Sequence, residues 1–125
     1  MKIEKFEDIE SWKKARKLVN EVYKLTSKDS IAKDYGLKDQ IQRASVSIMS
    51  NICEGFDSGS NKSFVQFLNY SYRSASEVQS LLYVILDLGH ITEEEFKLLY
   101  KDVAATKKLI GGFIKYLKTQ INNKK

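Results

Sequence analysis

Proline is missing from all 125 residues of the chain, and this absence limits what the chain can fold into more than any other feature. Proline ends helices because it lacks an N–H and its ring collides with the preceding turn. Without it, only glycine and short polar residues can interrupt a helix. Three such interruptions occur: Ser27–Ser30 continuing to Asp34-Tyr35-Gly36, then Gly55–Ser60, then Gly89–Thr92. The third is the most explicit. Gly89 is suited to a left-handed C-cap, and Thr92 with Glu95 makes a capping box for the next helix.

Between the interruptions, apolar residues recur at helical spacing. Trp12, Ala15, Leu18, Val19 and Val22 mark the first segment, and Leu37, Ile41, Ala44, Ile48 and Ile52 the second. The third carries Phe64, Phe67, Leu68, Ala75, Val78, Leu82 and Ile85. The fourth carries Phe96, Leu99, Val103, Ile110, Phe113, Leu117 and Ile121. No segment alternates strictly, so no sheet is expected. The spacing predicts helices over about 8–28, 36–55, 61–88 and 93–122, and short connections make them antiparallel neighbours. The expected fold is all-α: one domain over 1–125, an up-down-up-down four-helix bundle. Gly111-Gly112 falls inside the last helix, as either a tolerated weak spot or a place where another backbone packs closely.

A hydrophobic fraction of 42% with 30% charged residues is that of a globular chain rather than a disordered one. The single cysteine, Cys53, has no internal disulfide partner. Met1–Glu10 lacks the apolar region of a signal peptide, and the strongest apolar run, Leu81–Leu86, is too short to cross a bilayer. The expectation is a cytoplasmic protein with no membrane partner.

The apolar arcs of two helices are wider than a core needs. Tyr70, Tyr72 and Tyr83 widen the third, and Val46, Met49 and Cys53 widen the second. Excess apolar surface marks an interface, so these six residues are candidates for contact between copies in a homo-oligomer. The alternative is that they simply border a generous core.

Positive charge is concentrated elsewhere. The formal net charge is +5, and the first segment, Asp8 to Lys28, holds six basic and three acidic residues. From Thr92 to Lys125 there are eight lysines and four acids. Lys13, Lys17, Lys24 and Lys28 form a stripe on the first helix, and Lys97, Lys101, Lys108 and Lys115 form one on the last. First and last helices are neighbours in an up-down bundle, so the stripes can merge into one face for phosphates of RNA or DNA. Lysines opposite an apolar stripe also serve simply as a solvated face. Arginine, the residue favoured for base readout, occurs only at positions 16, 43 and 73.

Gln40, Arg43, Ser47, Asn51 and Glu54 align beside the second helix's apolar stripe, and the third helix supplies Arg73, Ser74 and Glu77. Such a seam needs its groups to satisfy one another, and the reading is a structural network that sets register. No catalytic residues are assigned. The sole histidine, His90, lies in a turn far along the chain from Cys53, and neither a Glu-x-x-His pair nor a Gly-rich phosphate loop is present. No metal, no cofactor and no enzymatic activity is expected.

The run Leu37-x-x-Gln40-Ile41-x-Arg43-Ala44-x-x-Ser47-Ile48-x-x-Asn51-Ile52-x-Glu54-Gly55 resembles the bacterial four-helix-bundle family encoded in intervening sequences of 23S rRNA genes. That family is related to the accessory variability proteins of diversity-generating retroelements. The likeness covers about Phe6 to Leu117, with Trp12, Leu18 and Thr26 upstream and Phe64, Leu68, Glu77 and Asp87-Leu88-Gly89 downstream. The resemblance implies an antiparallel protomer in a ring-like homopentamer. It also implies a basic surface towards nucleic acid and, in the retroelement relatives, a reverse transcriptase partner. Arg73 and Cys53 depart from the family's usual small residue and alanine. The functional expectation is a non-enzymatic, oligomeric nucleic-acid-binding accessory protein; the alternative is a protein-interaction scaffold.

Overall fold

A computed structural model of the chain describes residues 3–123. Five helices account for nearly all of them: α1 (Glu10–Thr26), α2 (Asp29–Ala32), α3 (Tyr35–Phe56), α4 (Asn61–Asp87) and α5 (Glu93–Asn123), preceded by a 3₁₀ turn at Phe6–Asp8. No strand is present among the described residues. The four long helices pack in the cyclic order α1, α3, α4, α5, and α5 returns to α1. This is the expected four-helix bundle.

The core is the union of the four apolar stripes. Leu18, Val22, Ile41, Ile48, Ile52, Leu68, Val78, Leu82, Ile85, Val103 and Ile110 are all buried. At about 0.8 kcal/mol per buried methylene, these side chains supply most of the drive to fold. Ser71 sits among them and escapes the cost of burial by donating its hydroxyl to the Ile48 carbonyl at 2.7 Å.

The connections refine the sequence reading. The first interruption is not plain loop. One helical turn, α2, drives Ile31 completely into the core, and Asp34 then caps α3 by accepting from the Leu37 N–H at 3.3 Å. Tyr35 and Gly36 therefore open a helix instead of separating two. Gly55, read above as part of a break, lies within α3 and is buried against α4. A Cβ there would stand 2.7 Å from Phe64 Cδ1 and 2.9 Å from Phe67 Cβ. Its role is close approach of two helices, with no special backbone angle.

The third interruption forms as anticipated. Gly89 takes φ +79°, the Gly89 and His90 N–H groups donate back to Leu86 and Ile85, and α4 ends in a Schellman motif. The Glu95 N–H donates to Thr92 Oγ1 at 3.1 Å, and the Thr92 N–H donates to Glu95 Oε1 at 3.0 Å. Helix α5 runs unbroken through Gly111 and Gly112. A Cβ at Gly111 would only touch the Tyr72 ring at 3.6 Å, and one at Gly112 would meet nothing within 4 Å. Within the chain, no other backbone packs against this pair.

Glu95 also reaches across to the turn between α1 and α2, where its carboxylate accepts from Lys28 Nζ. That bond first, and the backbone N–H of Thr92 next, hold its carboxyl below the usual carboxylate range. A depressed folded-state pKa contributes stability above the unfolded-state value, and the contribution disappears as pH falls through the folded value. Glu95→Gln is therefore expected to lower Tm by a constant amount at neutral pH, with the gap to the parent closing below about pH 4.5. Thermal unfolding from neutral to acidic pH measures this, and a gap independent of pH would remove Glu95 from the acid response.

Candidate nucleic-acid interface

The two lysine stripes meet different fates in the fold. On α1, Lys13 pairs with Glu10 at 3.4 Å and Lys24 pairs with Glu21 at 3.8 Å, and just beyond the helix Lys28 is held by Glu95. Lys17 is exposed and makes no ion pair among the described residues. The groove between α1 and α5 is lined by Lys24 and Lys28 but also by Glu21, Glu95 and Asp102, with Leu98 beside them. Although α1 and α5 are neighbours, acids and an apolar residue lie along their shared seam.

The α5 stripe behaves otherwise. Lys97, Lys101, Lys108 and Lys115 are all exposed, and none forms an ion pair among the described residues. At 100° per residue they lie about 120–160° from the buried Val103 direction. Their side of the helix is the one that leads to α4, shown by Lys107, whose Nζ donates to Gln79 Oε1 at 3.0 Å and lies 4.8 Å from the Tyr72 ring. Lys124 and Lys125, part of the sequence's lysine-rich end, lie outside the described residues.

Alongside this stripe runs an aromatic cluster. Tyr83 of α4 sits 4.8 Å from Phe96 and 5.7 Å from Tyr100, and Phe96 and Tyr100 are 5.3 Å apart. Tyr83 is half exposed, at 50%. Tyr100 beside it, with some desolvation, pushes the Tyr83 phenol above its ordinary range. Lysines and accessible rings on one face supply the two elements of single-strand binding: phosphate neutralisation and base stacking. The sequence reading identified the lysines and Tyr83 separately. It did not link them, because the α4–α5 pairing that brings them together is a tertiary contact.

The six residues singled out for oligomer contact do not form one patch. Val46, Met49 and Cys53 occupy the edge of α3 nearest α1, and Met49 packs against the core. Tyr70 stands on the α3 side of α4, where Arg73 lies 5.7 Å from its ring. Tyr72 and Tyr83 are on the α5 side of α4, as their contacts with Lys107 and Phe96 show. Burial first, then the charges of Asp57, Glu54 and Glu7, push the Cys53 thiol up, which keeps it protonated and poorly nucleophilic.

The polar seam divides in two. Its inner part is a half-buried network: Ser47 and Ser74 hydroxyls meet at 2.9 Å, and Asn51 Nδ2 donates to the Ser47 carbonyl and hydroxyl, each at 2.9 Å. Its outer part is exposed. Gln40 donates to Glu77 at 3.3 Å, while Arg43 and Glu54 stand in solvent without a hydrogen bond or ion pair among the described residues. Exposure spares these charges the desolvation that a core position would impose. No group of three or more His, Cys, Asp or Glu side chains among the described residues is arranged to hold a metal ion. None of the described helices is long and apolar enough to cross a membrane.

Comparison with known proteins agrees with this architecture. A crystal structure at 1.70 Å of a protein of unknown function from the S23 ribosomal protein family of Bacteroides thetaiotaomicron superposes with a TM-score of 0.78. It shares 24% identity and covers 84% of this chain and 95% of its own. At that identity the likeness concerns the fold. No match was found among curated proteins. The model of the 23S rRNA-intervening sequence protein family matches residues 7–112, a span that takes in α1 through most of α5 and the whole α3 motif. The chain belongs to the 23S rRNA-intervening sequence protein family.

Proposed function

We propose that this protein is a non-enzymatic accessory protein that binds single-stranded nucleic acid along the outer face of α5. The observation that carries this reading is the row of four exposed lysines, unpaired among the described residues, beside the Tyr83–Phe96–Tyr100 cluster. From Lys97 to Lys115 the row extends about 27 Å at 1.5 Å per residue, long enough to follow several successive phosphates. Tyr83 offers an accessible ring on which a base can stack. Self-association, as a ring-like homopentamer, is part of the proposal. It is supported by the exposed Tyr23, Val46, Tyr70 and Leu88 and by the family resemblance. A reverse transcriptase is the protein partner favoured by the resemblance to the accessory proteins of diversity-generating retroelements.

A second reading, docking of another protein, is favoured by Leu98, Leu109 and Tyr116, which are 69%, 39% and 57% exposed on the α1 side of α5. Fluorescence anisotropy with labelled single-stranded RNA and duplex DNA, from about 50 to 300 mM salt, separates the two. The proposal expects tighter binding of the single strand and a log–log salt slope near −3, from about 0.7 per phosphate contacted. Absence of binding at the lowest salt would overturn it and favour the protein-docking reading.

A further inference from the structure

At the end of the bundle where α1 begins and α5 finishes, a cleft of about 590 Å³ opens between the 3₁₀ turn and the ends of α3, α4 and α5. Its size falls within the range of about 300–1,000 Å³ found for small-molecule sites. The wall combines rings with the aliphatic side chains of Ile3, Ile9, Leu109 and Leu117. Phe56 meets Phe64 edge-on at 6.2 Å, Phe64 meets Phe113 at 5.0 Å, and Phe113 is followed by Tyr116 at 6.5 Å. Ring faces attract cations through their quadrupole.

The polar groups of the lining are few and one-sided. They are Asp8, Glu10 and Ser11, with the Tyr116 phenol the one other polar group. Asp8 directs Oδ2 to the N–H groups of Glu4 and Lys5, at 3.2 and 3.3 Å, which leaves its second oxygen available. Glu10 shares Oε1 with Lys13 at 3.4 Å but remains 60% exposed. Ser11 is 2% exposed, and its hydroxyl is the one buried side-chain polar atom without a hydrogen-bond partner among the described residues. A buried hydroxyl left unpaired is unfavourable, and a ligand entering the cleft is positioned to supply the missing partner after a rotation about the Ser11 Cα–Cβ bond.

The geometry points to a binding site for a small organic cation, a primary ammonium on an aromatic or short alkyl body. The rings hold the apolar body, Asp8 and Glu10 complement the charge, and the Ser11 hydroxyl accepts an ammonium N–H. This site lies on different residues from the α5 lysine face and does not depend on that face binding nucleic acid.

The test is an NMR titration of the full chain with three probes on the same phenylethyl body: 2-phenylethylammonium, its N-trimethylated form and 3-phenylpropanoate. The proposal expects saturable shifts at Ile9, Phe113 and Leu117, with the primary ammonium binding about tenfold more tightly than the carboxylate. Glu10→Gln, at an exposed position, weakens both ammonium probes. Ser11→Ala weakens the primary ammonium severalfold and leaves the trimethylated probe unchanged, since the latter has no N–H to donate. Because Ser11→Ala removes an unsatisfied group, the variant keeps its Tm and the comparison is made on folded protein. No saturable shift, equal affinity for the cation and the carboxylate, or equal weakening of both ammonium probes by Ser11→Ala would each overturn the assignment.

Discussion

Gly55→Leu is expected to lower the unfolding free energy by at least about 3 kcal/mol, at the upper end of the usual cost of overpacking. Helix propensity alone predicts the opposite, since glycine inside a helix costs about 1 kcal/mol relative to alanine. The decisive fact is the space available. A Cβ at Gly55 would lie 2.7 Å from Phe64 Cδ1 and 2.9 Å from Phe67 Cβ. The Phe64 ring can tilt, but Phe67 Cβ is tied to the α4 backbone, so the two helices must move apart. Gly55→Ala meets the same obstacle with one carbon, and a net loss of about 2 kcal/mol is expected once the propensity gain is subtracted. Gly112→Ala is the internal control. Nothing lies within 4 Å of its added carbon, so the propensity gain of up to about 1 kcal/mol should appear undiminished. Urea unfolding of the three variants measures these values. If Gly55→Ala matched the parent in stability, α3 and α4 would not approach this closely.

Replacing Lys97, Lys101, Lys108 and Lys115 together by glutamine is expected to weaken single-strand binding by about two to three orders of magnitude near 0.1 M salt. Each phosphate contact on a single strand releases roughly 0.7 counterion, so each removes about 0.7 decade at that concentration. Four contacts make nearly three decades, and the salt slope should flatten towards zero. All four side chains are exposed and unpaired among the described residues, so stability should change little. Changing three paired lysines, Lys13 and Lys24 of α1 and Lys28 just beyond it, to glutamine should weaken binding much less per charge removed, because those lysines already have carboxylate partners. Lys28 is best read with its stability recorded, since it anchors Glu95. Anisotropy on both sets gives the comparison. Unchanged affinity in the α5 set would remove this face from the function. Equal losses per charge removed in the two sets would make the attraction a matter of net charge alone.

The residues themselves determined the bundle. With no proline and four apolar stripes at helical spacing, Ile41, Ile48, Leu82 and Val103 had to be brought together, and only helices present them on one side. The turn at Gly89–Thr92 was equally legible, because a left-handed glycine and a Thr–Glu capping box are local chemistry. The lysine stripes and the polar seam were visible as patterns on single helices.

Tertiary structure decided what those patterns mean. Whether a lysine is paired depends on what the neighbouring helix presents: Glu95 from α5 claims Lys28, while nothing claims Lys108 among the described residues. Gly55 reads as a breaker in one dimension and is a contact point in three, because its neighbours Phe64 and Phe67 come from another helix. Ile31 looked like part of a loop and became core once a single turn, α2, folded under the bundle. The cleft around Ser11 draws on the 3₁₀ turn and four helices, 3 to 117 in sequence, and had no one-dimensional signature at all. Local chemistry sets helices and caps through bonds a few residues long, whereas charge pairing, close approach and cavities arise between segments whose proximity only the packed chain creates.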